Sequence, residues 1–384
     1  MSDAPVIVAA ARTAIGTAGH SLSHVDAAGL AGPVLAAVVD DLGLPGAEVD
    51  DVVLGNCMGP GGNLARVAAL AAGLPVTVPG LTVDRQCASG LAAVDLAVRA
   101  VRDGARLVLA GGVESASTAP WRSWPPVDGA PPVRYERAPF APAPDDLDMG
   151  VANDLLAAEA GVSREGQDAY AARSHDLAVA ARAAGAFDRE VVPVDGVTRD
   201  DRPRPGLAAA RLGRLRPAFV EGGTVTAGNS CGISDGAAAV AVVSAEVHRG
   251  MGRPGLRVLA TATSGVGPAR PGIGLVPAVR LALDRAGLGL DDIDVVELNE
   301  AFAGQVLACC DDLGLDPGRV CGEGGALALG HPWGASGAVL VVRLFSQLVD
   351  RQRGRYGLAA IAAGGGLGVA MVVERVDGER VDAC

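Results

Sequence analysis

The chain contains no lysine: all 32 of its basic residues are arginine. They are outnumbered by 44 acidic residues, and the net charge of −12 excludes a broad basic face for nucleic acid or an anionic membrane. A polyanionic ligand therefore needs a local arginine cluster. Aromatic residues are scarce at 3%. Close packing falls to small side chains, Gly and Ala above all, which let helices and sheets approach in a tightly layered α/β protein. No run of about 18 apolar residues occurs, nor a basic stretch followed by an apolar one at the N-terminus. This argues against a membrane span or a secretory signal and for the cytoplasm. The seven cysteines, at 57, 87, 231, 309, 310, 321 and 384, include no Cys-x-x-Cys metal pair and leave at least one thiol free, as suits a reducing compartment. At 384 residues the chain exceeds what one core holds, so two or three structural units are expected.

Four landmarks repeat in order. PVIVAAARTAIG from Pro5 is answered by LRVLATATSGVG from Leu256, Val52-Val53-Leu54 by the Val295 strand, Cys87-Ala-Ser-Gly by Gly334-Ala-Ser-Gly, and Ala110-Gly-Gly by Ala363-Gly-Gly. The offsets are 251, 243, 247 and 253 residues. Near-constant spacing predicts one α/β unit used twice, with helices over 27–42, 90–102, 276–286 and 335–349 between short apolar strands. The boundaries read as 1–117 plus 224–250 for the first core half, 118–223 for an insertion and 251–384 for the second half. The insertion is Pro-rich over 121–144, helical over 149–186 with a start at Ser163, and Arg- and Pro-rich over 199–217. Its place in the chain suggests a segment lying over an active face.

Thr82-Val-Asp-Arg-Gln-Cys-Ala-Ser-Gly puts Cys87 where a strand hands over to a helix. The helix dipole and its free N–H groups are expected to lower the thiol pKa there, which marks a nucleophile. The same residue also fits a small buried hydrophobe. Asn299, in Asn-Glu-Ala-Phe-Ala after an apolar strand, reads locally as a helix N-cap. His331 precedes Pro332, which biases it out of the α region, and small neighbours let its ring face a cleft; a structural histidine is the other reading. Gly364-Gly365-Gly366 after a strand forms either an oxyanion nest or a plain tight turn. The pattern there is too far from a dinucleotide fingerprint to support one.

These stretches resemble the thiolase family along almost the whole chain. The resemblance is carried by VIVAAARTAIG, GGNLARVAALAAGLP, TVDRQCASG, AGGVESAS, REGQDAYAARSH, GTVTAGNSCGISDGAAA, NEAFA, GGALALGHPWGASG and GLAAIAAGGG. It implies a duplicated α/β core, two similar α-β-α-β-α halves with an inserted loop domain, and an acyltransferase acting on coenzyme A thioesters with no tightly bound cofactor. Cys87 would accept the acyl group, His331 would activate it, and His331 with a water on Asn299 would bind the thioester oxygen. The N–H groups of Cys87 and Gly364 would form a second oxyanion hole. Coenzyme A would meet Arg202, Arg204, Arg211, Arg214 and Arg216, with Met149 and Cys231 along its path; a solvated surface segment is the alternative for the arginines.

The chain departs from the family where a second cysteine, the group that moves the α-proton in the carbon–carbon step, is replaced by Ala362. Substitute bases to weigh are His331, Cys321 and Glu323. Asp148 stands where His is common, Cys231 where a serine is usual, and Pro271 and Leu275 alter a further stretch. Three functions follow: a thiolase with a substitute base, an acyltransferase to oxygen or nitrogen (or a thioester hydrolase), and a non-catalytic subunit. A homodimer is expected, a tetramer less so because the covering segment looks short.

Overall fold

The computed structural model describes residues 4–43, 46–135 and 137–378; Cys384 lies outside them. The first half runs β1 (Val6–Thr13), α1 (Ala27–Leu42), β2 (Asp51–Gly55), α2 (Leu64–Ala71), β3 (Leu81–Val83), α3 (Ser89–Arg102) and β4 (Leu107–Ser115). The insertion follows, with helices α4 (Met149–Glu159) and α5 (Arg164–Ala183), before β5 (Ser234–Val243) returns to the core. The second half runs β6 (Gly255–Gly265), α6 (Leu275–Ala286), β7 (Val295–Leu298), α7 (Ala303–Leu313), α8 (Trp333–Phe345), β8 (Tyr356–Ala363) and β9 (Leu367–Val376).

Strand pairing carries the duplication. In the first half β2 pairs in parallel with β3 and β4, and β5 runs antiparallel to both β4 and β1. In the second half β7 pairs in parallel with β8 and, through Val296 and Val320, with a single bridge in the place of β3. There β9 runs antiparallel to both β8 and β6. The halves join where β1 meets β6, Val6 opposite Arg257 and Ile7 opposite Leu256.

Alternation along the strands then builds five layers. β5 sends Ala238, Val240 and Val242 into the middle of the molecule and Ala237, Ala239, Ala241 and Val243 outward against α1 and α2. β9 does the same with Val369, Met371 and Val373 inward and Ala370 and Val372 toward α6 and α7. Between the two halves of the continuous sheet lie α3 and α8; α8 is buried from Gly334 to Phe345, while α3 keeps one exposed edge at Leu96, Arg99 and Arg102.

These two helices touch through backbone. A Cβ on Gly90 would stand 2.8 Å from both the Ala338 nitrogen and the Gly334 oxygen, and one on Gly337 would overlap Leu91. The two helix starts, one just after Cys87 and the other just after His331, are thereby locked together.

The helical stretch expected over 149–186 is two helices. Gly161, at φ +65°, ends α4 while the Val162 N–H returns to the Ala157 carbonyl at 2.9 Å, a left-handed C-terminal turn that glycine permits. Ser163 then caps α5, as its position implied. The last helix starts at Trp333, and after Phe345 it widens into a π turn over Ser346–Asp350.

Replacing Gly337 with Ala should cost ~1–3 kcal/mol through overpacking, read as a lower urea midpoint. Gly250, a helical glycine with open space where its Cβ would go, is the control: Gly250→Ala should leave stability unchanged or raise it by up to ~1 kcal/mol.

Candidate active site

β3 ends at Val83, and after five intervening residues α3 begins. Ser89 fastens the turn, its Oγ accepting from Arg85 N at 2.7 Å and donating to the Gln86 carbonyl at 2.6 Å. Gln86 takes φ +50°, a left-handed conformation uncommon outside glycine. It turns the next residue, Cys87, out at the head of the helix. The thiol pKa does not fall there as the helix position had suggested. Burial pushes it up to about 12, the Cys231 thiol and the Glu114 carboxyl add to the rise, and the backbone N–H groups of Cys87 and Gly364 oppose it. A helix start contributes ~0.3–1 kcal/mol, less than the 1.36 kcal/mol of one pK unit, so it does not offset desolvation. Cys87 rests as a thiol, so any attack by its sulfur would need a base.

His331 supplies a ring in the state a base requires. Its backbone pairs with Ile233 and donates to Ser234 Oγ at 3.1 Å, and α8 begins only after Pro332. Nδ1 lies 2.6 Å from Ser336 Oγ, while Nε2, in a residue 2% exposed, has no partner. Burial lowers its pKa to about 4, so the imidazole is neutral near pH 7.

Asn299 is not an N-cap. α7 starts at Ala303 with Phe302 in the capping position. The intervening loop bends at Ala301 and is tied to other segments: Asn299 N–H donates to the Ala360 carbonyl, Cys231 N–H to Ala301, and Ala303 N–H to Asn229, each at 2.9 Å. Glu300 accepts from Tyr170 at 2.9 Å and Ser174 at 2.7 Å, anchoring the loop to the insertion. The Asn299 side chain is left buried, with its Nδ2 unpartnered. Gly364–Gly366 closes the β8–β9 hairpin, Gly365 and Gly366 at φ +83° and +78°. It makes a tight turn, and its Gly364 N–H opposes the rise in the Cys87 pKa. The Phe140 ring of the insertion packs over Gly364, so the inserted segment covers this corner of the site.

Models of the thiolase N-terminal and C-terminal domains match residues 5–246 and 253–375. The chain belongs to the thiolase family. It is 42% identical to the acetyl-CoA acetyltransferase of Pseudomonas aeruginosa, over 96% of this chain and 99% of that protein. With the acetyl-CoA acetyltransferase of Escherichia coli it shares 43% identity over 97% and 99% of the two chains. A crystal structure of the Bacillus anthracis acetyl-CoA acetyltransferase superposes with a TM-score of 0.92 at 37% identity, covering 97% of this chain and 99% of that one. This member of the thiolase family is an acyltransferase enzyme.

Its arginines divide into two groups. Arg204, Arg211, Arg214 and Arg216 are exposed, Arg204 donating its backbone N–H to His175. Arg202 is half-buried; its guanidinium packs on Gly232 beside Cys231, with Nε unpartnered. Met149 opens α4 and is partly exposed. Glu323, one of the substitute bases considered, is ion-paired with Arg343, Arg351 and Arg353, which hold its pKa low against burial. Cys321 donates to the Leu298 carbonyl at 3.1 Å in the core.

Glu114 escaped the sequence reading. Only 1% exposed, it accepts from Asn56 Nδ2 at 2.9 Å and from the N–H groups of Cys57, Met58 and Gly334 at 3.1 Å each. It ties the loop after β2 to the head of α8. The available signal was a carboxylate in an otherwise apolar strand, which needs buried donors.

The high thiol pKa has a direct test. Iodoacetamide alkylation of Cys87, followed by peptide mass, should keep rising from about pH 7 to about pH 10 because only thiolate reacts; a plateau below about pH 8 would mean a preformed thiolate.

Proposed function

We propose that this protein takes an acyl group from acetyl-CoA, or a related short acyl-CoA, onto Cys87 and passes it to a second acyl-CoA in carbon–carbon bond formation. The reverse reaction cleaves a 3-oxoacyl-CoA. The observation that carries the reading is the meeting of two helix starts through Gly90, Gly334 and Ala338, one preceded by the Cys87 thiol and the other by the His331 ring, whose buried Nε2 has no partner. The acetyl-CoA acetyltransferases among its relatives support the substrate class.

The sequence of events follows from the protonation states. As Sγ attacks the thioester carbonyl, its proton passes to the free Nε2 of neutral His331. Asn299 Nδ2, which has no protein partner, holds a water that meets the developing oxyanion together with His331. In the second half-reaction the carbonyl of acyl-Cys87 lies against the N–H groups of Cys87 and Gly364, and each such donor contributes ~10²- to 10³-fold. Arg204, Arg211, Arg214 and Arg216 form an exposed guanidinium surface for the phosphates of coenzyme A. We read residues 1–117 with 224–250 and 251–384 as the two core halves, 118–223 as the covering domain, and the working form as a cytoplasmic homodimer.

Ala362 favours a second reading. It stands two residues before Gly364, where the family resemblance calls for a cysteine, and a methyl group accepts no proton. If no other base acts, Cys87 passes its acyl group to water or to an oxygen or nitrogen acceptor.

Intact-protein mass after mixing with acetyl-CoA should show one acetyl group per chain in wild type and none in Cys87→Ala. His331→Ala should slow its appearance by ~10²- to 10⁴-fold. With His331 protonating only near about pH 4 and Cys87 ionising near about pH 12, the acylation rate should show no titration between these values. Wild type without an adduct would overturn the assignment, and product analysis with a second thioester separates carbon–carbon chemistry from hydrolysis.

A further inference from the structure

Joining two acyl thioesters through carbon requires a group that removes an α-proton from the second one. His331 is occupied with the proton of Cys87, so a second acid–base group must stand beside the thiol. Most nearby titratable side chains are committed elsewhere. Glu114 accepts four hydrogen bonds and Glu300 three. Glu323 is held by three arginines. Cys57 donates to the Gln86 carbonyl and Cys321 to that of Leu298, both at 3.1 Å.

Cys231 differs from all of these. Ser230 pairs with Phe302, in the Asn299 loop, and Ile233 pairs with His331 itself. Cys231 and Gly232 are therefore stretched between the two segments that carry the other polar groups of the site. The Cys231 N–H is tied to the Ala301 carbonyl at 2.9 Å, fixing the backbone. Its thiol is close enough to Cys87 to raise the energy of the Cys87 thiolate. The Arg202 guanidinium, seated where a side chain on Gly232 would otherwise go, faces it with an unpartnered Nε.

We propose that the Cys231 thiol is the second acid–base group of this enzyme, standing where it can reach the α-carbon of the acyl-CoA that attacks acyl-Cys87. The inference rests on the carbon–carbon reading of the function. In the first half-reaction His331 Nε2 takes the proton of Cys87, Sγ bonds to the acetyl carbon, and the C–S bond to coenzyme A breaks. The departing thiolate takes the Cys231 proton and leaves as free coenzyme A, with the Cys231 thiolate stabilised by Arg202. In the second, that thiolate takes the α-proton of the incoming acetyl-CoA, and the freed C–H electron pair bonds to the acyl carbonyl carbon. The Cys87 C–S bond then breaks, and Cys87 recovers its proton from His331. Two acetyl-CoA give one acetoacetyl-CoA and one coenzyme A, and both thiols end protonated. Serine in place of Cys231 would be too weak an acid to serve.

Three readouts on the full-length chain test this: acetyl-Cys87 by intact mass, deuterium uptake into the methyl group of acetyl-CoA in heavy water, and acetoacetyl-CoA formation. Cys231→Ala and Cys231→Ser should still accumulate acetyl-Cys87, more slowly because coenzyme A then leaves as the thiolate and takes its proton from solvent, while exchange and condensation fall by ~10²- to 10⁴-fold. Adding Ala362→Cys to Cys231→Ala should return part of the exchange. Variants that exchange and condense within about threefold of wild type overturn the assignment. So does loss of acetyl-Cys87 in both variants, which would mean a structural role. Wild type that acetylates Cys87 yet neither exchanges nor condenses instead overturns the carbon–carbon reading, and the inference falls with it.

Discussion

Helices α3 and α8 approach until backbone meets backbone, and the site is a consequence of that contact. Gly90 and Gly337 remove the side chains that would hold the helices apart, and the sheets on either side bury what remains. Each helix is the same element of a duplicated unit, so their heads are equivalent places. One head carries Cys87, the other follows His331. Glu114 pins the second head to the loop after β2 by accepting the Gly334 N–H. Duplication thus delivers two helix starts to one spot, and divergence of a few residues gives them different chemistry.

Desolvation sets the electrostatics. It raises the thiols of Cys87 and Cys231 to about 12 and lowers His331 to about 4. These three groups are therefore neutral at rest, which suits the water-excluding site that the proposed reaction needs. In the proposed mechanism charge develops when a proton moves from thiol to imidazole, and the Cys87 and Gly364 N–H groups would meet it without reorganising. Charges deeper in the core are paired: Arg12 with Glu190 at 2.8 Å and Asp200 at 2.7 Å, and Arg343 with Glu190 and Glu323. Removing one member of such a network leaves a buried charge uncompensated.

The architecture was legible because a repeat is visible whatever its tertiary setting. The four landmarks predicted a duplicated unit, and the strand pairing repeats in both halves. The handover from strand to helix at Cys87 and the interruption at Pro332 were legible from local punctuation, whereas the roles given to Cys87 and His331 came from the family resemblance. What failed was local inference about residues whose state depends on remote parts of the chain. Asn299 has capping chemistry, but three backbone hydrogen bonds with distant segments hold its loop and postpone the helix. The thiol of Cys87 sits at a helix head, but burial by elements far along the chain outweighs the dipole. Arg202 belongs by sequence to an arginine cluster, and by packing to Cys231. Glu114 drew no notice because its four donors come from segments up to 220 residues away.

The central claim is that the acyl group on Cys87 lies with its carbonyl oxygen between the N–H groups of Cys87 and Gly364. The most direct measurement is the isotope-edited infrared spectrum of the enzyme acetylated from acetyl-CoA carrying carbon-13 at the carbonyl. The account predicts a narrow carbonyl band at lower wavenumber than that of a free acetyl thioester in the same buffer, because two fixed donors polarise the bond in one geometry. A broad band at the free thioester's position would contradict it.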